Sequence, residues 1–112
     1  VSSGTALMPL PNMRPDSSLK GALAMISLTA REELKGDNIV VSVVYPYVTL
    51  TEFERNTIKD PSLLAQSEEG SELPQLPDTA EYMAQKILEA VQTEEAEIFA
   101  HDWLRKAAKK YD

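Results

Sequence analysis

The chain has 112 residues, a formal net charge of −7 and no cysteine. One domain at most fits that length, and a disulfide framework and a thiolate metal site are both excluded. The acidic balance argues against a nucleic-acid partner, because phosphate binding needs a basic surface. The charge is unevenly placed. Residues 52–97 hold twelve acids and three bases, whereas residues 98–112 hold two acids and four bases, so an acidic solvated middle gives way to a mildly basic end. No apolar run approaches the ~20 residues of a membrane span, and no basic-then-apolar leader opens the chain. The expectation is a cytoplasmic protein with neither membrane nor nucleic acid as partner.

Residues 1–15 carry three prolines and several small residues and read as an extended loop. Over 16–34, Leu19, Leu23, Ile26, Ala30 and Leu34 recur at helical spacing, which predicts an amphipathic helix. Asp16, Ser17 and Ser18 are its candidate caps or first-turn residues, and Gly36 is placed to end it. Ile39-Val-Val-Ser-Val-Val-Tyr45 is almost unbroken and β-branched, the pattern of a strand covered on both faces in a parallel sheet. Such a strand needs neighbours on both edges and both faces, more than so short a chain is expected to supply. Residues 47–77 have no strong period, contain Pro61, Pro74, Pro77 and the acidic run Glu68–Glu72, and read as a long functional loop with a short helix or two inside. Asp78-Thr-Ala-Glu81 resembles a capping box opening a helix over 78–92, marked by Met83, Ile87, Leu88 and Val91. A strand at 96–101 and a terminal helix at 103–111 follow. Strands alternating with helices indicate an α/β domain with a parallel sheet.

This order of elements resembles the C-terminal half of the short-chain dehydrogenase/reductase family. The residues that carry the likeness are Ser3, the spacing Asp16-x-x-x-Lys20 where the family has Tyr-x-x-x-Lys, and Pro46-Tyr-Val-Thr-Leu-Thr51 where it has Pro-Gly-x-Val-x-Thr. Ser2-Ser-Gly4 corresponds to the end of the family's fifth strand, 39–45 to its sixth, 47–77 to its variable substrate loop, and 78–101 to its last helix and strand. The resemblance implies one partial domain over 1–112, an incomplete Rossmann-like doubly wound parallel sheet. It also implies that the Gly-rich phosphate turn of the family's first half lies outside these residues, since nothing here resembles it.

The same resemblance assigns roles. Ser3, Asp16 and Lys20 occupy the catalytic positions, and Lys20, Pro46, Thr49 and Thr51 the positions that line an NAD or NADP cofactor. In the family a tyrosine exchanges the proton during hydride transfer between nicotinamide and a small carbonyl or alcohol substrate. An aspartate is ionised at neutral pH and has no proton to donate. It is also shorter by a ring, and Tyr47 stands where the family has glycine. The expectation is therefore a chain inactive by itself. Read without the family, Asp16 is a helix cap that also pairs with Lys20 one turn on, Ser3 is a loop serine, and Thr51 either meets the carboxamide or caps Glu52-Phe53-Glu54.

His101 beside Asp102 has no partner motif for nucleophilic catalysis and reads as structural or solvated, and Tyr82, Phe99 and Trp103 read as packing residues. No His/Asp/Glu cluster has metal-ligand spacing, so no metal is expected. Two functions follow. One is the catalytic half of a short-chain NAD(P)-dependent oxidoreductase. The other is a non-catalytic relative acting in subunit association, a homo-oligomer formed through helix 16–34 with Gly21, Ala22, Ile26 and Ala30 at the contact.

Overall fold

The computed structural model describes residues 1–52, 56 and 75–110. It is an α/β arrangement of helix α1 (Arg14–Glu33), strand β1 (Val43–Tyr45), helix α2 (Ala80–Thr93), strand β2 (Glu97–Phe99) and helix α3 (Asp102–Lys110), with short 3-10 turns at Gly4–Ala6 and Lys35–Asp37. The strands pair in parallel, Val43 with Glu97, Val44 with Ile98 and Tyr45 with Phe99. The substrate-type loop expected at 47–77, with its short helices, lies for the most part outside the described residues.

The apolar run 39–45 is strand only over its last three residues. Ile39 and Val40 are about half exposed, because Ile39 is still tied to the end of α1 through its N–H to the Leu34 carbonyl. Val43, Val44 and Tyr45 are buried, and this chain does cover them on both faces and both edges. β2 occupies one edge. On the other, the Ser2 N–H donates to the Val44 carbonyl and the Gly4 N–H to the Pro46 carbonyl, each at 2.8 Å. Those bonds advance two residues at a time in both segments, the step of a parallel ladder. Pro46 has no N–H to return to Ser2, so Ser2–Gly4 stops short of being a full third strand.

Side chains alternate across β1. Val43 and Tyr45 pack with Ala24 of α1, whereas Val44 packs with Met83 and Ala90 of α2, Ile98, Ala100 and Leu104 of α3. Helices α1 and α2 therefore cover opposite faces, although the chain steps in one direction across the sheet, from Ser2–Gly4 to β1 to β2. The two crossovers have opposite hands, and one of them departs from the right-handed preference of such units. Gly4 sits in a tight place: an added Cβ would lie 3.0 Å from Leu104 and 3.1 Å from the Pro46 carbonyl oxygen, closer than most side chains come.

Several local signals are satisfied by other residues than expected. Helix α1 begins at Arg14, capped by Met13 without a side-chain bond and with Pro15 in its first turn, where no N–H is needed. Asp16 is a first-turn residue and not the cap. The left-handed residue after α1 is Asn38 (φ 59°), not Gly36. Thr79 caps α2 by accepting the Tyr82 N–H, which releases Asp78 for a distant partner.

The Tyr45 hydroxyl donates to Glu97 at 2.7 Å across the strand pair. Burial, then the bond to Glu97 and its negative charge, push the phenol above its ordinary value of 10.0. The folded state therefore favours the neutral phenol, a contribution present below pH 10 and lost as pH rises beyond it. Tyr45→Phe is expected to cost about 1–2 kcal/mol at neutral pH and to flatten the decline of stability above about pH 10. Urea unfolding across neutral to alkaline pH reads both effects, and an unchanged alkaline decline would show that another group governs it.

Candidate functional site

In a parallel α/β sheet, ligand sites gather at the carboxyl ends of the strands. Here those ends are Pro46–Thr49 after β1 and Ala100–Trp103 after β2, with Ser3–Thr5 beside the first of them.

The Ser3 Oγ caps the Gly4–Ala6 turn, accepting the Thr5 N–H at 3.2 Å. It also lies 3.0 Å from the Thr5 hydroxyl, which is 2.8 Å from Asp16 Oδ2. Ser3 and Asp16, on the same loop–helix junction, are thus joined through Thr5, which lies 11 residues before Asp16 and which no spacing rule singled out. Lys20 is half-buried. Its backbone carbonyl accepts the buried Ser2 hydroxyl at 2.8 Å, fixing the loop against the middle of α1. The expected Asp16–Lys20 ion pair is not formed; among the described residues no carboxylate pairs with Lys20. Next to Asp16, the Ser17 Oγ is buried without a hydrogen-bond partner.

Pro46 reaches this group through its carbonyl, bonded to Gly4. Thr49 turns its hydroxyl back to the Tyr47 carbonyl at 2.8 Å and bridges to Asp78 through the backbone, so its side chain is committed to its own loop. Thr51 is exposed. The structure joins Ser3, Asp16, the Lys20 backbone and Pro46 in one neighbourhood, and shows no hydrogen bond from Thr49 to any of them.

A second cluster stands at the end of β2. His101 does not use its neighbour Asp102. Its Nε2 is 2.8 Å from both carboxylate oxygens of buried Asp78 and 2.8 Å from the Gln75 amide nitrogen. The Trp103 indole N–H donates to Gln75 Oε1 at 3.1 Å, and the Tyr47 hydroxyl donates to the Gln75 carbonyl at 2.9 Å. The His101 ring stacks on Tyr82 at 5.3 Å and meets Tyr47 edge-on at 5.8 Å, while the Tyr82 hydroxyl donates to the Ala100 carbonyl. Gln75, Asp78, Tyr47, Tyr82 and Trp103 each have a protein partner here, which makes the cluster a tether for residues 75–79. Tyr82, Phe99 and Trp103 are partly buried and packed against the core, and no local signal marked Asp78 or Gln75 as partners of His101.

The described residues contain no group of three His, Cys, Asp or Glu side chains placed to hold a metal ion, and none of their helices is long and apolar enough to cross a membrane. Comparison with known protein families, with curated proteins and with solved structures finds no match. The site must therefore be argued from its own geometry.

Proposed function

We propose that this chain carries the proton-transfer and substrate elements of a short-chain NAD(P)-dependent oxidoreductase, in a cytoplasmic protein acting on a small carbonyl or alcohol, and that it does not turn over by itself. One observation supports the reading: the parallel order Ser2–Gly4, β1, β2 brings Ser3, Asp16, the Lys20 backbone and Pro46 into one neighbourhood at the strands' carboxyl end. The nicotinamide would carry the hydride, and the chain would orient the substrate oxygen and exchange its proton. Asp16 is poorly suited to that exchange. It already accepts the Thr5 hydroxyl, and it lacks the length of a tyrosine. The sequence has no Gly-rich phosphate turn, so the dinucleotide's phosphates would be held by residues outside it.

The test is to join the chain to a Gly-rich dinucleotide-binding half and follow NADH and NADPH oxidation with a panel of aldehydes and ketones. Asp16→Tyr is expected to raise turnover by about 10²–10⁴-fold, the usual worth of a positioned acid. Failure of the joined protein to bind dinucleotide, or equal turnover with Asp16 in place, overturns the reading.

A second reading, a non-catalytic protein acting in subunit association, is favoured by the outer face of α1. Much of the apolar stripe of this amphipathic helix points outward: Leu19 is 71% exposed, Ile26 68%, Met25 65% and Leu23 40%. Ala24 is the buried residue of the helix, and Leu28 packs partly buried in the same cluster. Of the expected contact residues, Ala22 and Ile26 are exposed, whereas Gly21 and Ala30 are half-buried. Four exposed apolar residues on one helix favour a covering partner. Self-association measured by sedimentation is expected, with Ile26→Glu raising the dissociation constant about tenfold or more. A monomer at every concentration would remove this reading.

A further inference from the structure

We infer that Thr5 is a positioning residue, holding the Asp16 carboxylate so that Lys20, one turn further along α1, keeps an unpaired ammonium.

The spacing of Asp16 and Lys20 is that of a favourable helical ion pair, and the pair does not form. Thr5 competes for the carboxylate. Thr5 Oγ1 lies 2.8 Å from Asp16 Oδ2 and 3.0 Å from Ser3 Oγ. A threonine hydroxyl has one proton to give, and an ionised carboxylate only accepts. The Thr5 proton therefore goes to Asp16, and the Ser3 hydroxyl donates in turn to Thr5 while accepting the Thr5 N–H. One donor order satisfies all three groups and ends on the carboxylate. A hydrogen bond to a charged acceptor outweighs a helical ion pair open to water.

The turn that presents Thr5 is itself fixed. Gly4 is wedged against Leu104 and the Pro46 carbonyl, Ala6 packs against the cluster of Ala24, Val43 and Tyr45, and the Ser2 hydroxyl is bonded to the Lys20 carbonyl. Thr5 cannot follow Asp16 if the carboxylate swings towards Lys20. Lys20 is left half-buried and cationic with no acid on it, ready for an external hydroxyl or phosphate oxygen. That such an oxygen belongs to a dinucleotide rests on the oxidoreductase reading; the diversion of Asp16 by Thr5 does not.

Competitive acylation of the full chain with acetic anhydride, read lysine by lysine by mass spectrometry, tests it with no dinucleotide present. Thr5→Val should free Asp16 to pair with Lys20 and lower Lys20 labelling about twofold relative to Lys109 and Lys110, the size of an exposed helical ion pair. Thr5→Ser, which keeps the hydroxyl, should label as the native chain does. Asp16→Asn added to Thr5→Val should restore labelling, which a merely loosened fold would not. Asp16→Asn alone should leave Lys20 unchanged. Unchanged labelling in Thr5→Val, or increased labelling in Asp16→Asn alone, overturns the inference; the second outcome decides even if Thr5→Val fails to fold. An inactive joined enzyme would count against the oxidoreductase reading and leave this result standing.

Discussion

Ile98→Ala is expected to lower the free energy of unfolding by about 2–5 kcal/mol, the range for a large aliphatic removed from a well-packed core. Ile98 is 2% exposed and lies opposite Val44 in the parallel register. It packs in one cluster with Met83 and Ala90 of α2, Ala100 and Leu104. These neighbours come from β1, α2, the end of β2 and α3, and the short ladder holding them leaves little freedom to close on a void. A domain of this size has only about 5–15 kcal/mol in total, so the loss is a large part of it. Leu88→Ala is the control. Leu88 is 51% exposed on α2, and its truncation is expected to change stability by no more than about 0.5 kcal/mol. Urea unfolding of both variants checks the contrast, and equal losses would mean that α2 presents a different face to the sheet.

That contrast also marks the limit of what the sequence makes legible. The helices, the two strands and the parallel α/β class are readable because each element has its own period or β-branched run. Which face turns inward is not. Ile87, Leu88 and Val91 define α2 by their spacing yet lie 41%, 51% and 72% exposed, while Met83 and Ala90 are buried. Helix α1 is the same case: Leu19, Leu23 and Ile26 face out over a contact made by Ala24. A helical period fixes a stripe but not the partner that covers it, and the sheet is approached most closely where side chains are small. Caps fail for another reason. Short polar side chains are interchangeable locally, so Asp78 looks like a cap until His101, 23 residues further on, takes its carboxylate and Thr79 caps in its place. At the candidate site, the resemblance to the short-chain family points to Ser3, Asp16 and Lys20, whereas nothing in it points to Thr5. Its hydroxyl matters only because the Gly4–Ala6 turn folds back on α1.

Arg31→Ala is expected to cost about 2–3 kcal/mol, although the residue belongs to no sequence motif. Its guanidinium joins three elements. One nitrogen donates to the Val41 carbonyl at 2.6 Å, just before β1, and the other to the Glu94 carbonyl at 2.8 Å, at the end of α2 and 63 residues away. Glu94 closes α2 in the left-handed region at φ 58°, a place usually given to glycine. The guanidinium also lies at the negative end of the helix dipole. Hydrogen bonds from a charged donor are worth about 1.5–3 kcal/mol each when shielded from water. The Val41 bond is partly buried and the Glu94 bond is exposed, so the sum is discounted towards the lower end. Arg31→Lys separates charge from geometry. An ammonium keeps the attraction to the helix end but has no fork to span two carbonyls, so it should recover less than about half of the loss. Because Arg31 links α1 to α2 across opposite faces of the sheet, the alanine variant should also expose the amides of Val43 and Glu94 to hydrogen exchange more than those of Met83. Full recovery by lysine would show that charge alone holds this junction.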